Sequence, residues 1–145
     1  GHLDIVKVFI ESVGEKNPPL QSGDTPLHLA AQEGHLEICR AIMENLDDKN
    51  PRNKSGVTPL HFAAHCGHLK LCQLIIANVD DKNPRNNNGI TPLIMAAKQG
   101  HLEICKLIVN QMEAKEKLWK NLTVVTSMFL AGGLTATFLV YMISK

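Results

Sequence analysis

The sequence predicts an all-α fold in which a repetitive helical solenoid is followed by one apolar C-terminal helix. Two observations carry this prediction. Short motifs recur every 33 residues through most of the chain, and a run of 23 residues, 122–144, contains no charged side chain. Aromatic residues make up only 4% of the chain, and its apolar side chains are mostly Leu, Ile and Ala, which favours packed helices over a β-sandwich.

The composition limits the size, the partner class and the compartment. A chain of 145 residues has room for one domain with its own core. Its net charge of +1, without a cluster of basic residues interleaved with aromatics, argues against nucleic acid as the main partner. Three of the four cysteines, Cys39, Cys72 and Cys105, share one spacing. This spacing indicates buried thiols and not a disulfide framework, and therefore a reducing compartment.

The repeat is visible in several independent markers. The triplets TPL, GHL and KNP recur at intervals of 33 residues, as do the three cysteines. Self-similarity at such a period predicts stacked structural units. TPL begins at Thr25, Thr58 and Thr91, GHL at Gly1, Gly34, Gly67 and Gly100, and KNP at Lys16, Lys49 and Lys82.

Each unit is predicted to consist of a turn, a helix, a second turn and a second helix. In the second full unit, Ser55 and Gly56 supply the first turn. Thr58 occupies an N-cap position and Pro59 the first helical position, where a missing N–H costs nothing. The helix is predicted to end at Gly67, because glycine readily adopts the left-handed conformation found after helix C-termini.

The second helix of this unit, HLKLCQLIIAN, carries a broad apolar face. We predict that it ends at Asn78, because asparagine tolerates the left-handed conformation better than other non-glycine residues. The segment DDKNPRNNNG that follows is polar and contains proline, which predicts an exposed loop leading to the next unit. The apolar face consists of Leu69, Leu71, Cys72, Leu74, Ile75 and Ile76.

The segment GDTPLHLAAQEGHLEICRAIMEN resembles the ankyrin repeat, whose pattern is G-x-T-P-L-H-x-A-A-x-x-G-H followed by an apolar second helix. The resemblance implies full repeats at 22–54, 55–87 and 88–114, and only the second helix and exit loop of a fourth at 1–21. There are two departures from the family pattern. Ile94 replaces the motif histidine in the third repeat, and NLDDKNPRN and NVDDKNPRN replace the usual exit sequence.

A half-repeat at the start of the chain would be unable to cover its own apolar face. Leu3, Ile5, Val6 and Phe9 lack the first helix that would pack on them. We therefore expect the chain to be an N-terminally incomplete fragment, with residues 1–21 held less firmly than the central repeats.

The segment HFAAHCGH is similar in composition to a zinc site. However, His61 and His68 belong to the repeat pattern itself, and only His65 and Cys66 are additions, so we predict no metal and no cofactor. The chain also contains no phosphate-binding loop, no H-E-x-x-H and no G-x-S-x-G motif. These observations favour a protein that is not an enzyme.

The resemblance implies that partner contacts come from the hairpin tips and the ends of the first helices. A merely solvated polar face is the alternative at each position. Arg52 and Arg85 are the residues of this set whose type is common at binding hot spots. The candidate partner-binding residues are Gln21, Ser22, Asp24, Gln32, Glu33, Arg52, Lys54, Ser55, Val57, His65, Cys66, Arg85, Asn87, Asn88, Ile90, Lys98 and Gln99.

The apolar run 122–144 is predicted to be a transmembrane helix, with a buried core helix as the alternative. At about 1.5 Å per residue it would reach about 34 Å, enough to cross a hydrocarbon layer of about 30 Å. A basic juxtamembrane segment, 115–121, precedes the run, so the repeats are expected to face the cytosol. The last repeat also lacks the KNP exit loop, so its second helix is expected to continue towards the membrane. The predicted membrane-interface residues are Lys115, Lys117, Trp119, Lys120 and Tyr141.

Together these features predict a non-enzymatic scaffold that binds a protein partner and is anchored to a membrane by a single span. One alternative is the cytosolic part of a channel or other multi-span protein, truncated after its first span. Another is a fragment of an enzyme whose catalytic domain lay in the missing N-terminal part. Small residues at four-residue steps, Ser127, Ala131 and Thr135, are compatible with weak self-association of the membrane helix, and the ordinary composition of membrane helices is the alternative.

Overall fold

Six helices lie within the part of the chain that the computed structural model describes, residues 18–114 and 116, and these residues contain no strand. The chain divides into two compact units, 1–109 and 110–145. The described residues of the second unit, 110–114 and 116, are helical. The helices are α1 (Pro26–Glu33), α2 (Leu36–Glu44), α3 (Pro59–Cys66), α4 (Leu69–Ala77) and α5 (Pro92–Gln99), and α6 at 102–114.

The first helix of each pair begins and ends as local sequence chemistry predicts. Thr58 is the extended N-cap of α3, and Pro59 occupies its first turn. Gly67 ends the helix in the left-handed conformation, with a φ of 82°. The same arrangement recurs in α1 and α5, which end at Gly34 and Gly100. The predicted N-cap and C-terminal glycine are therefore confirmed.

Helix α4 ends at Asn78 as predicted, but the predicted conformation is wrong. Asn78 has a φ of −112° and a ψ of 4°, outside the left-handed region. Its side-chain Nδ2 instead donates a hydrogen bond to the Leu74 carbonyl oxygen at 2.8 Å. The Lys82 ammonium group donates to the carbonyl oxygens of Ile76 and Val79. Side chains thus satisfy carbonyls of the last turn, and no left-handed residue is needed.

The exit loop after α4 is less exposed than its composition predicts. Pro84 and Asn86 are buried against neighbouring structure. The Asn83 Oδ1 accepts a hydrogen bond from the Leu93 backbone N–H at 3.0 Å, which ties the loop to the start of α5. Asn50 makes the equivalent bond to Leu60 in the preceding unit. The predicted exposed loop is therefore exposed only in part, and the side chains of Asn50 and Asn83 cap the helices that follow.

The helices pack as a continuous layer with one core. Helix α3 packs against α1, α4 and α5, and α4 also packs against α2. Cys39 and Cys72 lie in this core and are fully buried, and burial raises the pKa of each thiol to about 12. Cys105 is half-buried and Cys66 exposed, and all four cysteines are free. Burial of the repeated cysteine is therefore confirmed for its first two copies.

Helix α6 is longer than its counterparts α2 and α4. Gln111 stands where Asn45 and Asn78 end those helices, and the helix continues to residue 114. Glutamine is a good helix former, and no proline follows before residue 114. The prediction that this helix continues past the usual exit point is confirmed within the described residues.

Several predicted features lie outside the described residues. They include most of the half-repeat 1–21, the run 122–144 with its small residues, and the five predicted membrane-interface residues. Within residues 18–114 and 116, no helix has both the length and the hydropathy needed to cross a membrane.

Candidate protein-binding surface

Three hairpin turns with the same geometry stand at the start of the repeats. In the second, the Asn53 N–H donates to the Val57 oxygen at 2.9 Å and the Gly56 N–H to the Asn53 oxygen at 2.9 Å. The same pair of bonds recurs in the turns that contain Gly23 and Gly89. All three glycines have a positive φ, between 72° and 83°, which a side chain would disfavour.

Backbone hydrogen bonds join each described hairpin to the next. The Lys54 N–H donates to the Ser22 oxygen at 3.2 Å, and the Asn87 N–H donates to the Ser55 oxygen at 3.0 Å. The Asn87 side chain adds a bond from its Nδ2 to the Lys54 oxygen at 3.0 Å. The predicted tip residues are therefore held in rows that run from one repeat to the next.

Two charged candidates are partly engaged by the fold. The Asp24 carboxylate accepts hydrogen bonds from Asn53 Nδ2 and from Ser22 Oγ, each at 2.7 Å. Burial raises the pKa of Asp24, but these two hydrogen bonds and the charge interaction with His28 lower it, and the net pKa is lowered. The Arg52 guanidinium donates to the Arg85 oxygen at 2.6 Å. Arg52 thus clamps two hairpins together, whereas the Arg85 guanidinium makes among the described residues only a long contact, 3.5 Å, to the Gly89 oxygen.

Two buried histidines, His28 on α1 and His61 on α3, each connect a first helix to the hairpin of the next repeat. His61 Nδ1 accepts from the Thr58 N–H at 3.1 Å, so its Nε2 carries the proton and donates to the Ile90 oxygen at 3.1 Å. His28 makes the corresponding bond to the Val57 oxygen. Burial lowers the pKa of both histidines. Their ring nitrogens are occupied by these bonds, and within the described residues no three potential ligands are placed to hold a metal ion.

A second pair of histidines holds the ends of the first helices. His68 Nε2 donates to the Gln32 oxygen at 2.9 Å, and His101 Nε2 donates to the His65 oxygen at 3.0 Å. The two rings lie directly over Gly34 and Gly67. The backbone at the candidate residues Gln32 and His65 is therefore fixed, while their side chains remain exposed.

The structure places the predicted candidates in two exposed sets. The helix-end set, on α1, α3 and α5, is exposed throughout: Gln32, Glu33, His65, Cys66, Lys98 and Gln99. The hairpin set is exposed at Gln21, Ser22, Arg52, Lys54, Ser55, Arg85, Asn87 and Asn88, and half-buried at Asp24, Val57 and Ile90.

Sequence reasoning missed an apolar row formed by Leu29, Phe62 and Met95. Leu29 is 46% exposed, and Phe62 and Met95 are half-buried. Leu29 precedes Gln32 by three residues on α1, so the two side chains share one face of the helix. Phe62 and His65 on α3, and Met95 and Lys98 on α5, are also three residues apart. The signal was present in the sequence, because an apolar residue precedes the Ala-Ala pair of the first helix in each of the three full repeats.

A polar cleft of about 310 Å³ lies between the exit loops of the first two full repeats. Its walls include four carboxylates, but the Lys49 ammonium in the same cleft donates to the carbonyl oxygens of Met43 and Leu46. The Lys49 ammonium group therefore caps the C-terminal end of α2. The carboxylates are Asp47, Asp48, Asp80 and Asp81.

These stacked helix pairs and hairpins define a helical-repeat protein with an extended exposed surface. A family model described as "Ankyrin repeats (3 copies)" matches the chain over residues 1–86 and 72–131. The chain therefore belongs to the ankyrin-repeat family, and its repeats form a protein–protein interaction domain. The second match extends ten residues into the apolar run 122–144. No match was found among curated proteins.

Proposed function

We propose that this chain is a non-enzymatic adaptor that binds a protein partner through the apolar row and the exposed residues around it. The observation that carries the proposal is the row of Leu29, Phe62 and Met95, because apolar side chains are left accessible at the same position of three successive repeats. Polar residues of the helix-end set border this row. An apolar centre with a polar rim is the usual arrangement of a protein-binding surface.

The side chains that join the repeats differ from those of the proposed binding surface, and this difference supports the assignment. The residues that join the repeats, His28, His61, His68 and His101, direct their ring nitrogens at backbone carbonyls. The side chains of the helix-end set make none of these histidine bonds, so a partner could contact them without disturbing the bonds. In the hairpin set, Arg52 and Asn87 themselves bond to a neighbouring hairpin.

The partner can be identified and the surface tested with paired positions. A photoreactive amino acid at position 65, on the proposed surface, should crosslink a protein that the same group at position 73, on the exposed side of α4, does not. With that protein purified, the double variant Leu29→Glu and Lys98→Glu should weaken binding by about tenfold or more, since hot-spot substitutions typically cost more than about 1 kcal/mol.

The matched control is the double variant Lys70→Glu and Gln73→Glu, whose residues are exposed on α4. It should bind as tightly as the unmodified chain. Circular dichroism should show equal helix content in all three proteins. Equal weakening by both double variants would contradict the proposed surface and would point to a general charge effect.

We also propose that residues 122–144 anchor the adaptor in a membrane as a single span, with the repeats in the cytosol. The run has 23 uncharged residues and three lysines precede it in 115–121, against one after it. A fusion of residues 112–145 to a soluble reporter should resist carbonate extraction. Recovery of the fusion in the soluble fraction would refute the anchor while leaving the binding surface untouched.

A further inference from the structure

The third hairpin differs from the other two at its exposed turn position. Ser22 and Ser55 precede the turn glycine in the first two hairpins, but Asn88 precedes Gly89 in the third. This is the only Asn-Gly pair in the sequence. Glycine has no side chain to shield its backbone nitrogen, so the side-chain amide carbon of a preceding asparagine is open to attack by that nitrogen.

The Asn88 side chain is also free where most other asparagines are held. Within the described residues it makes no hydrogen bond, and only its backbone N–H is engaged, with Asn86 Oδ1. Asn110 is the other described asparagine with an unbonded side chain, but it is followed by Gln111 within α6. The seven asparagines whose side chains are hydrogen-bonded are Asn45, Asn50, Asn53, Asn78, Asn83, Asn86 and Asn87.

Among residues 18–114 and 116, the turn around Gly89 has open space beside it that the other two turns lack. A Cβ atom built on Gly56 would lie 2.9 Å from the backbone N of Asn87, and one built on Gly23 would lie 2.7 Å from the backbone N of Lys54. A Cβ atom built on Gly89 meets no described residue within 4 Å. Opening this turn therefore costs its own Gly89-to-Asn86 hydrogen bond, but no bond to a following hairpin among the described residues.

We propose that Asn88 is a site of spontaneous deamidation, made reactive by the open third hairpin. The Gly89 backbone nitrogen loses its proton to solvent base and attacks Cγ of Asn88. This attack closes a five-membered ring. The bond between Cγ and Nδ2 then breaks, Nδ2 takes up a proton and leaves as ammonia, and a succinimide remains. Water then opens the ring at either carbonyl and leaves aspartate or isoaspartate, so that one water is consumed and one ammonia released.

The modification would alter the surface on which the proposed function rests. Asn88 is an exposed tip residue of the hairpin set. Deamidation adds a negative charge there, and the isoaspartate product also adds a methylene to the backbone of the turn. The chemistry itself requires no partner, so it can be tested even if the proposed binding surface is wrong.

The test is to age the full chain in neutral and mildly alkaline buffer and to map its peptides by mass spectrometry. Asn88 should convert to aspartate and isoaspartate faster than every other asparagine, and the rate should rise with pH. The variant Asn88→Ser, which introduces the residue found in the other two hairpins, should form no isoaspartate at position 88. Conversion at Asn88 no faster than at Asn110 would overturn the proposal.

A second variant separates the sequence effect from the structural one. Ser55→Asn places an Asn-Gly pair in the second hairpin, where the Ser55 carbonyl oxygen accepts a hydrogen bond from Asn87. The asparagine introduced at position 55 should deamidate about tenfold more slowly than Asn88, since its turn must break one additional backbone hydrogen bond to open. Equal rates at the two positions would overturn the proposal, because the open hairpin would then have no influence.

Discussion

Replacing Gly56 with alanine is expected to lower the free energy of unfolding by about 2–5 kcal/mol, and the same change at Gly89 by only about 1–2 kcal/mol. Both glycines have nearly the same backbone conformation, with φ of 72° and 74°. Both variants therefore carry the cost of a left-handed alanine. They differ only in what the new methyl group meets.

At position 56 the added Cβ would lie 2.5 Å from Asn87 Oδ1, 2.9 Å from Asn87 N and 3.2 Å from Asn86 Cα. Two of these atoms belong to the backbone of the next hairpin, so a rotation of a side chain cannot relieve the contact. The hairpins must separate, which also weakens the bond between Asn87 N–H and the Ser55 oxygen. The excess loss at Gly56 over Gly89 thus measures how tightly the hairpins are stacked.

Urea unfolding of the two variants and the unmodified chain, followed by circular dichroism, gives the comparison. Gly89→Ala is the matched control, since it carries the strain but no described clash. Equal losses at the two positions would contradict the prediction and would mean that the second and third hairpins move apart without cost.

The parts of the fold that the sequence predicted correctly depend on local chemistry. Thr58, Pro59 and Gly67 each have a conformational preference that acts within one helix turn, so their roles could be assigned without knowing the tertiary contacts. The sequence correctly predicts that α4 ends at Asn78, but the left-handed conformation predicted for Asn78 is wrong. Its amide reaches back to Leu74, a choice between two local hydrogen-bonding patterns that composition does not determine.

The parts that the sequence did not predict depend on neighbouring repeats. Pro84 is buried although its own segment is polar, and it lines a cleft whose other walls include the exit loop of the preceding repeat. The Arg52 guanidinium contacts a backbone oxygen 33 residues away, a contact that no local pattern encodes. The apolar row was missed because exposure at one helix position depends on which face the adjacent helices cover.

The third repeat has Ile94 at the position of the motif histidine. His28 and His61 each donate to a carbonyl oxygen in the following hairpin, Val57 and Ile90 respectively. Within the described residues no hairpin follows the third repeat. Ile94 occupies the equivalent position there and is 39% exposed. A histidine at 94 would have no such acceptor among the described residues.

Replacing His61 with leucine is expected to lower the free energy of unfolding by about 2–4 kcal/mol. Leucine fills much of the buried volume but leaves the Thr58 N–H and the Ile90 oxygen without the partners that His61 supplies. A buried polar group that loses its partner costs about 1–3 kcal/mol. The matched control is Ile94→Leu at the exposed position of the third repeat, which should change stability by less than about 0.5 kcal/mol.

The pH dependence of the same variants tests whether burial keeps the His61 ring neutral in the folded chain. Burial lowers the pKa of His28 and of His61 below their ordinary 6.5, so the folded chain binds fewer protons than the unfolded chain. The stability that these histidines contribute is fully present above about pH 6.5 and is lost as the pH falls from that value towards the lowered pKa. Because His61→Leu retains only His28, its unfolding free energy should fall less between about pH 7.5 and pH 5.5 than that of the unmodified chain. An identical decline in both proteins would show that burial does not hold the His61 ring neutral, whatever the cost of the substitution at neutral pH.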